Sequence, residues 1–181
     1  MKIGFDLNGV LRDVLTKVES VYKKAYPNKD IIYPILPHKM FDSLTFDSEI
    51  EFTDFMNDNY LEIFGTSKEQ YKGCINQFND LCVYLKTKNI EPFIICKEVD
   101  RMIPSTFYFL SNNGCSPSKV IFVENNEDIW KEVDMLVTAN HTFLSNKPED
   151  KKSIKVSRYY NEEITNAEYN INEIKELFDI F

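Results

Sequence analysis

Asp6 ends a short apolar run, Ile3-Gly4-Phe5, and is followed by Leu7, Asn8 and a turning Gly9. A carboxylate at the end of a buried strand can act as a nucleophile or hold a hard cation. Placed before a glycine turn, it can equally do no more than cap that turn with its own oxygens. Two further stretches bring polar groups to the ends of apolar runs: Cys96 to Glu98, and Thr138 to His141. If the three runs are parallel strands of one sheet, these groups meet at one edge, the usual place for a ligand in an open α/β sheet. Asn8 adds no acid to the turn, because a carboxamide cannot exchange a proton near neutral pH.

The pattern between these stretches predicts such a sheet. Ile3 to Phe5 are short, apolar and bounded by a turn, which fits a buried parallel strand. Val14, Val18, Val21, Tyr22 and Ala25 recur at helical spacing until Pro27-Asn28 stops them. From Pro27 to Thr66 the chain is irregular around Pro34, Pro37 and His38. A capping box of Ser48 and Glu51 then opens a helix carrying Phe52, Phe55, Met56, Tyr60 and Ile63, closed by Gly65. That passage is longer than a strand–helix–strand crossover needs, so 27–66 is read as a small helical cap insertion. Its acidic residues Glu49, Asp54, Asp58 and Glu62 read as a solvated face.

Tyr71, Ile75, Phe78, Cys82 and Leu85 form a one-sided stripe for a helix from Ser67 to Lys88. A strand Pro92–Cys96, a helix from Pro104 to Asn113-Gly114, a strand Val120–Val123, a helix Asn126–Val133 and a strand Asp134–Thr138 follow. Ser153–Val156 is a fifth strand candidate, and Ile171, Ile174, Phe178 and Phe181 mark a last amphipathic helix. The expected fold is α/β: a Rossmann-like parallel sheet with helices on both faces, one domain over 1–181 with the insertion at 27–66.

Composition bounds the function. The 181 residues are 43% apolar and 28% charged, which describes a globular chain. A net charge of −8 repels phosphate backbones, so direct nucleic-acid binding is not expected. Lys147, Lys151, Lys152, Lys155 and Arg158 are the one candidate basic patch, read here as a solvated loop. Cys74, Cys82, Cys96 and Cys115 form no CxxC pair, and His38 and His141 complete no zinc spacing. Reduced thiols, a cytoplasmic location and no membrane span are expected.

Strand, then Asp6-Leu7-Asn8-Gly9-Val10, then helix resembles the first motif of the haloacid dehalogenase (HAD) superfamily, Asp-x-Asp-Gly-Thr/Val. The later order, a strand ending near Cys96, a helix ending in Asn-Gly and then Asp-Met-Leu-Val-Thr, fits as well, and small nucleotidase-like members are nearest in layout. The resemblance implies Asp6 as nucleophile, Asn8 in place of the acid/base Asp, and Cys96 in place of the hydroxyl residue that holds the phosphoryl group. It implies Mg²⁺ held by Asp6, the Asn8 carbonyl and, in the absence of the usual carboxylate after the fourth strand, Asn140. Where a phosphate-binding Lys is due the chain has Glu127 and Asp128, with Lys119 and Lys131 on either side.

So many departures imply a catalytically degenerate member serving as a structural or interaction module. The sites at Asp6, Asn8 and Cys96 would then be vestigial, with no cofactor and with other proteins, in a homo- or hetero-oligomer, as partners. The ending TxN…KP…K…IKV from Thr138 to Val156 resembles that of small members carried by tailed bacteriophages. That implies a virion or assembly component, in the host cytoplasm or the particle. The alternative is a weak Mg²⁺-dependent phosphomonoesterase using Asp6, with Glu98, Glu124, Glu127 or Asp128 restoring the metal site.

Overall fold

A computed structural model describes residues 1–181. In chain order the elements are β1 (Lys2–Asp6), β2 (Arg12–Asp13), α1 (Val14–Ala25), α2 (Met40–Ser43), α3 (Glu49–Tyr60), β3 (Lys68–Glu69), α4 (Cys74–Thr87) and β4 (Glu91–Lys97). There follow α5 (Met102–Asn112), β5 (Val120–Val123), α6 (Asn126–Glu132), β6 (Met135–Thr138), α7 (His141–Ser145), β7 (Lys152–Val156) and β8 (Tyr169–Ile171). Short 3₁₀ turns cover Pro37–Lys39 and Ile174–Asp179. Leu61–Gly65 extends α3 as a π-helical turn.

Six strands form one parallel sheet in the order β5-β4-β1-β6-β7-β8. Side chains alternate across it, as strand geometry requires. Ile3, Phe5, Ile94, Cys96 and Val137 join the larger core with α4 and α5, while Phe93, Ile95 and Leu136 pack with Ile129 and Trp130 of α6 and Phe143 of α7. Both faces are therefore covered, which explains why the strands read as unbroken apolar runs.

The two-residue antiparallel pair β2–β3 brings residues 12–13 beside 68–69, so the chain between them leaves and returns at one point. A separate apolar cluster fills this excursion: Val14, Val18, Val21 and Tyr22 of α1 pack with Ile35, Leu44, Phe46, Phe55, Ile63 and Phe64. Helix α1 thus packs with the helical insertion rather than on the sheet. Ser48 caps α3 as expected, its hydroxyl accepting the Glu51 N–H at 3.1 Å. The reciprocal half of the expected box is absent, because the Glu51 carboxylate accepts from the Asp47 N–H and from Lys29.

Three other expectations are corrected. The helix expected from Ser67 begins at Cys74, since Lys68–Glu69 is held in the β2–β3 pair and Glu69 caps the helix by accepting the Gly73 and Ile75 N–H groups. Tyr71, counted in the stripe, precedes the helix and uses its hydroxyl to join Gln77 to the Ile174 N–H. The last amphipathic helix is a strand followed by a 3₁₀ turn: Ile171 ends β8, and Ile174 and Leu177 enter the main core.

Gly4 lies where β1 is most crowded; a Cβ there would sit 2.5 Å from Val133 Cγ1 and 2.8 Å from Ile95 Cγ2. Gly4→Ala is expected to lower unfolding free energy by about 1–3 kcal/mol, the usual cost of one methyl too many in a packed core, in urea titration.

Candidate functional site

The register aligns Asp6 with Ile95 and Phe5 with Val137, which puts the side chains of Asp6 and Thr138 on the same side of the sheet. The Thr138 hydroxyl donates to Asp6 Oδ2 at 2.8 Å and accepts the Asn140 N–H at 2.9 Å. Asp6 is 4% exposed. Loss of water around the carboxylate outweighs the hydrogen bonds from Thr138 and the Leu7 N–H and the attraction of Arg12. Its pKa is pushed up to about 7, with Glu98 adding to the rise.

Arg12 is the centre of this edge and was not foreseen from the sequence. It is fully buried, yet all its hydrogen-bonding nitrogens are used. Nε donates to Asn8 Oδ1 at 2.8 Å, Nη1 to the Phe64 carbonyl and the Thr106 hydroxyl, and Nη2 pairs with Glu98. The other Glu98 oxygen accepts from Thr106. The guanidinium lies over the rings of Phe64 and Phe109, at 5.1 and 5.4 Å from their centroids.

The residues singled out from the sequence are only partly brought together. Asn8 sits beside Asp6 in the chain, but its carboxamide oxygen is bonded to Arg12. Cys96 is turned to the opposite face: its neighbour Ile95 pairs with Asp6, so Cys96 joins the α4–α5 core, where burial holds its thiol far above the usual range. It cannot take the phosphoryl-holding place that the resemblance gave it. Asn140 caps α7, its Oδ1 accepting from the Thr142 and Phe143 N–H groups. Glu98 is committed to Arg12 and Thr106, Asp128 to Lys131 and Asn125, while Glu124 and Glu127 are exposed. Lys119 lies over the Phe93 ring.

The candidate basic patch, read as a solvated loop, is dispersed and largely part-buried. Lys147 pairs with Glu168, Lys151 donates to the Val133 carbonyl, and Lys155 is buried against the Asn161 and Ile164 carbonyls. Lys155 and the buried amide of Asn161, which donates to the Ala139 and Val156 carbonyls, fix the loop after β7. That loop carries Arg158, Tyr159 and Tyr160. Arg158 Nε donates to the Gly9 carbonyl at 3.0 Å, and Tyr160 packs its hydroxyl against Gly9, whose φ of 77° and lack of a Cβ allow the approach.

Between this loop, the Gly9 turn, α1 and the insertion lies a cavity of about 640 Å³. Asn8, Gly9, Asp13, Gln70, Asn140, Arg158 and Tyr159 line it, with Leu15, Ile35, Met40, Phe64 and Met102, and Asp6 is not among its walls. Two contacts tie the insertion to the sheet edge around it. The Tyr159 hydroxyl donates to the Ile35 carbonyl at 2.6 Å, and the His38 and His141 rings stack at 4.7 Å.

The architecture can now be set beside known structures. A haloacid dehalogenase-like hydrolase from Burkholderia xenovorans superposes with a TM-score of 0.63 at 10% identity, over 99% of this chain and 95% of that one. This is the haloacid dehalogenase fold. CbbY from Rhodobacter sphaeroides in complex with phosphate gives 0.64 at 12% identity, over 97% and 95% of the two chains. The HAD-hydrolase YfnB from Bacillus subtilis, bound to magnesium, gives 0.64 at 9%, over 99% and 97%. No protein-family model and no curated protein matches the sequence.

The HAD fold raises the question of Mg²⁺, and the donors here do not fit it. A hard cation needs free, negatively charged oxygens. The Asn8 backbone carbonyl adds no charge, the side-chain oxygen of Asn140 accepts two N–H bonds, Asp6 is held by Thr138, and the charge beside Asn8 is the cation of Arg12. No three His, Cys, Asp or Glu side chains converge as a ligand set.

Sequence reasoning missed Arg12, Gln70 and Tyr159. The one available signal was a charge, Arg12, directly after the apolar pair Val10-Leu11. Arg12→Met should cost about 3–5 kcal/mol, because it strands the buried Glu98 charge, and Arg12→Met with Glu98→Gln should recover most of that in urea titrations. A titration of Asp6→Asn tests the buried proton. The folded protein keeps a proton on Asp6 up to about pH 7 that the unfolded chain releases near pH 4. Its stabilising effect is complete below about pH 4 and is lost as the pH rises to 7. Asp6→Asn is therefore expected to lose less stability than the parent between pH 5 and 8, and an equal loss would remove Asp6 as the proton holder.

Proposed function

We propose that this HAD-fold chain no longer transfers phosphoryl groups and works as a binding or interaction module, with 27–66 and α1 as its cap. The observation that carries the reading is the state of Asp6. A nucleophilic carboxylate must be ionised and must reach phosphorus in line. Asp6 is buried, bonded to Thr138, raised to a pKa of about 7 and absent from the walls of the adjacent cavity. Asn8 supplies no acid for a leaving group, and its oxygen is taken by Arg12. Other proteins are the partners this reading implies, and the resemblance of the Thr138–Val156 ending to phage-borne members would extend it to a role in a particle or its assembly.

The second reading, a weak Mg²⁺-dependent phosphomonoesterase, draws on the fold, which is shared with proteins described as haloacid dehalogenase-like hydrolases, and on Asp6. Purified protein with Mg²⁺ and a panel of phosphate monoesters separates the two. We expect no release of phosphate above an Asp6→Asn control, and no Mg²⁺ heat in calorimetry that depends on Asp6. Turnover that disappears in Asp6→Asn would establish the phosphomonoesterase instead.

A further inference from the structure

The two edges of the sheet are built differently. At one, β8 is three residues long, exposes Tyr169 and Asn170 and buries only Ile171. At the other, β5 is Val120-Ile121-Phe122-Val123, an apolar strand without a charge, a proline or a bulge. Folded proteins usually guard an open edge with such devices, so a bare one marks a place where another strand can add.

The backbone shows which groups are free. The Lys119 carbonyl accepts the Ile94 N–H, and β4 runs in register along β5 as far as Lys97 and Val123. Alternation along the strand then turns the N–H and C=O groups of Ile121 and Val123 toward β4, and those of Val120 and Phe122 outward. No strand, turn or side chain takes these outward groups. Beside them Phe107 of α5 stands 51% exposed, its ring 5.5 Å from that of Phe122.

We propose that β5 pairs antiparallel with β5 of a second copy of this chain, across a two-fold axis at Ile121, to make one continuous sheet. The strand is complementary to itself in that register. Val120 of one copy faces Phe122 of the other, and such a pair exchanges both of its N–H···O bonds, so every outward group is satisfied. Charge fits the same arrangement. Lys119 precedes the strand and Glu124 follows it, both exposed, and the antiparallel direction sets Lys119 of each copy at the end where the other carries Glu124. Parallel pairing of the same strands would set like charges together. Phe107 then covers the Phe122–Val120 pair at the junction. A short strand pair with one aromatic flank is a small interface, so the dimer forms in a concentration-dependent way. The contact involves no group around Asp6 and is independent of any chemistry there.

Sedimentation equilibrium of the full chain over a concentration series, with amide hydrogen exchange followed by NMR, tests this. The expected result is a monomer–dimer equilibrium in which the Val120 and Phe122 N–H groups exchange more slowly as the dimer fills, while loop amides elsewhere do not change. Lys119→Glu and Glu124→Lys, both at exposed positions, should each leave the melting temperature of the monomer nearly unchanged. Each should weaken the dimer by about tenfold, since each puts like charges together at both ends of the strand pair. Glu124→Lys also lowers the net negative charge, so general repulsion between copies would predict the opposite effect. An equimolar mixture of the two variants should regain the parent affinity, because each then carries the charge that the other lacks. A chain that stays monomeric at every concentration, a dimer that leaves the Val120 and Phe122 amides unprotected, or one that neither variant weakens would overturn the inference. Protection of those amides only when an extended peptide is added would also overturn it, assigning the edge to a different partner.

Discussion

The edge of the sheet depends on one buried ion pair. Taking Arg12 and Glu98 out of water is costly unless every donor and acceptor finds a partner. Here each nitrogen of Arg12 and both oxygens of Glu98 find one: Glu98 directly follows β4, Thr106 lies on α5, Phe64 is near the end of the insertion, and Asn8 is in the turn after β1. One guanidinium therefore joins four parts of the chain that have no continuous secondary structure in common. The faces of Phe64 and Phe109 close over it and keep water from competing. The angle at which the insertion meets the sheet is set by a group that tolerates little displacement, because shifting any partner leaves a buried charge or acceptor bare.

That pair also explains the residue at position 8. Around Arg12 the buried charges already balance, one guanidinium against Glu98. An aspartate at position 8 would place a second carboxylate against the same cation, close to Asp6, and raise the cost of ionising all three. A neutral carboxamide donates no extra charge and still offers the oxygen that Nε needs. Asn8 is thus electrically matched to Arg12. The carboxamide at position 8 and the arginine at position 12 are two sides of one arrangement.

Much of the sheet was legible because buried parallel strands write themselves as short apolar runs with turns after them, and five of the six were read this way. The sixth, Tyr169–Ile171, buries only Ile171, so it carries no run to read. The start of α4 was misplaced because the periodicity of Tyr71 with Ile75 is helical in spacing, while Glu69, outside the stripe, fixes where the helix begins. Cys96 was misassigned by one residue of parity. A motif position names a place along a strand, but the pleat decides the face, and register with Asp6 became visible only once the strands were paired. Arg12 and Arg158 were opaque for a common reason: an arginine in sequence reads as solvated, and its burial depends on partners far away in the chain, Glu98 for one and the Gly9 carbonyl for the other.

The Gly9 turn finally separates two things that a phosphoryl-transferring site must keep together. On its sheet side is Asp6, its pKa raised to about 7 by burial and its carboxylate occupied by Thr138. On its outer side is the cavity, walled by Asn8, Arg158 and Tyr159 and joined to the insertion through the Tyr159 and His38 contacts. Tyr160, seated against Gly9, packs against the turn that stands between them. Thr138 holds the Asp6 carboxylate, while Lys155 and Asn161 fix the loop that seats Tyr160 on Gly9. The cavity and the Asp6 carboxylate are separate features of the same strand end, so a molecule held in the cavity would not meet Asp6.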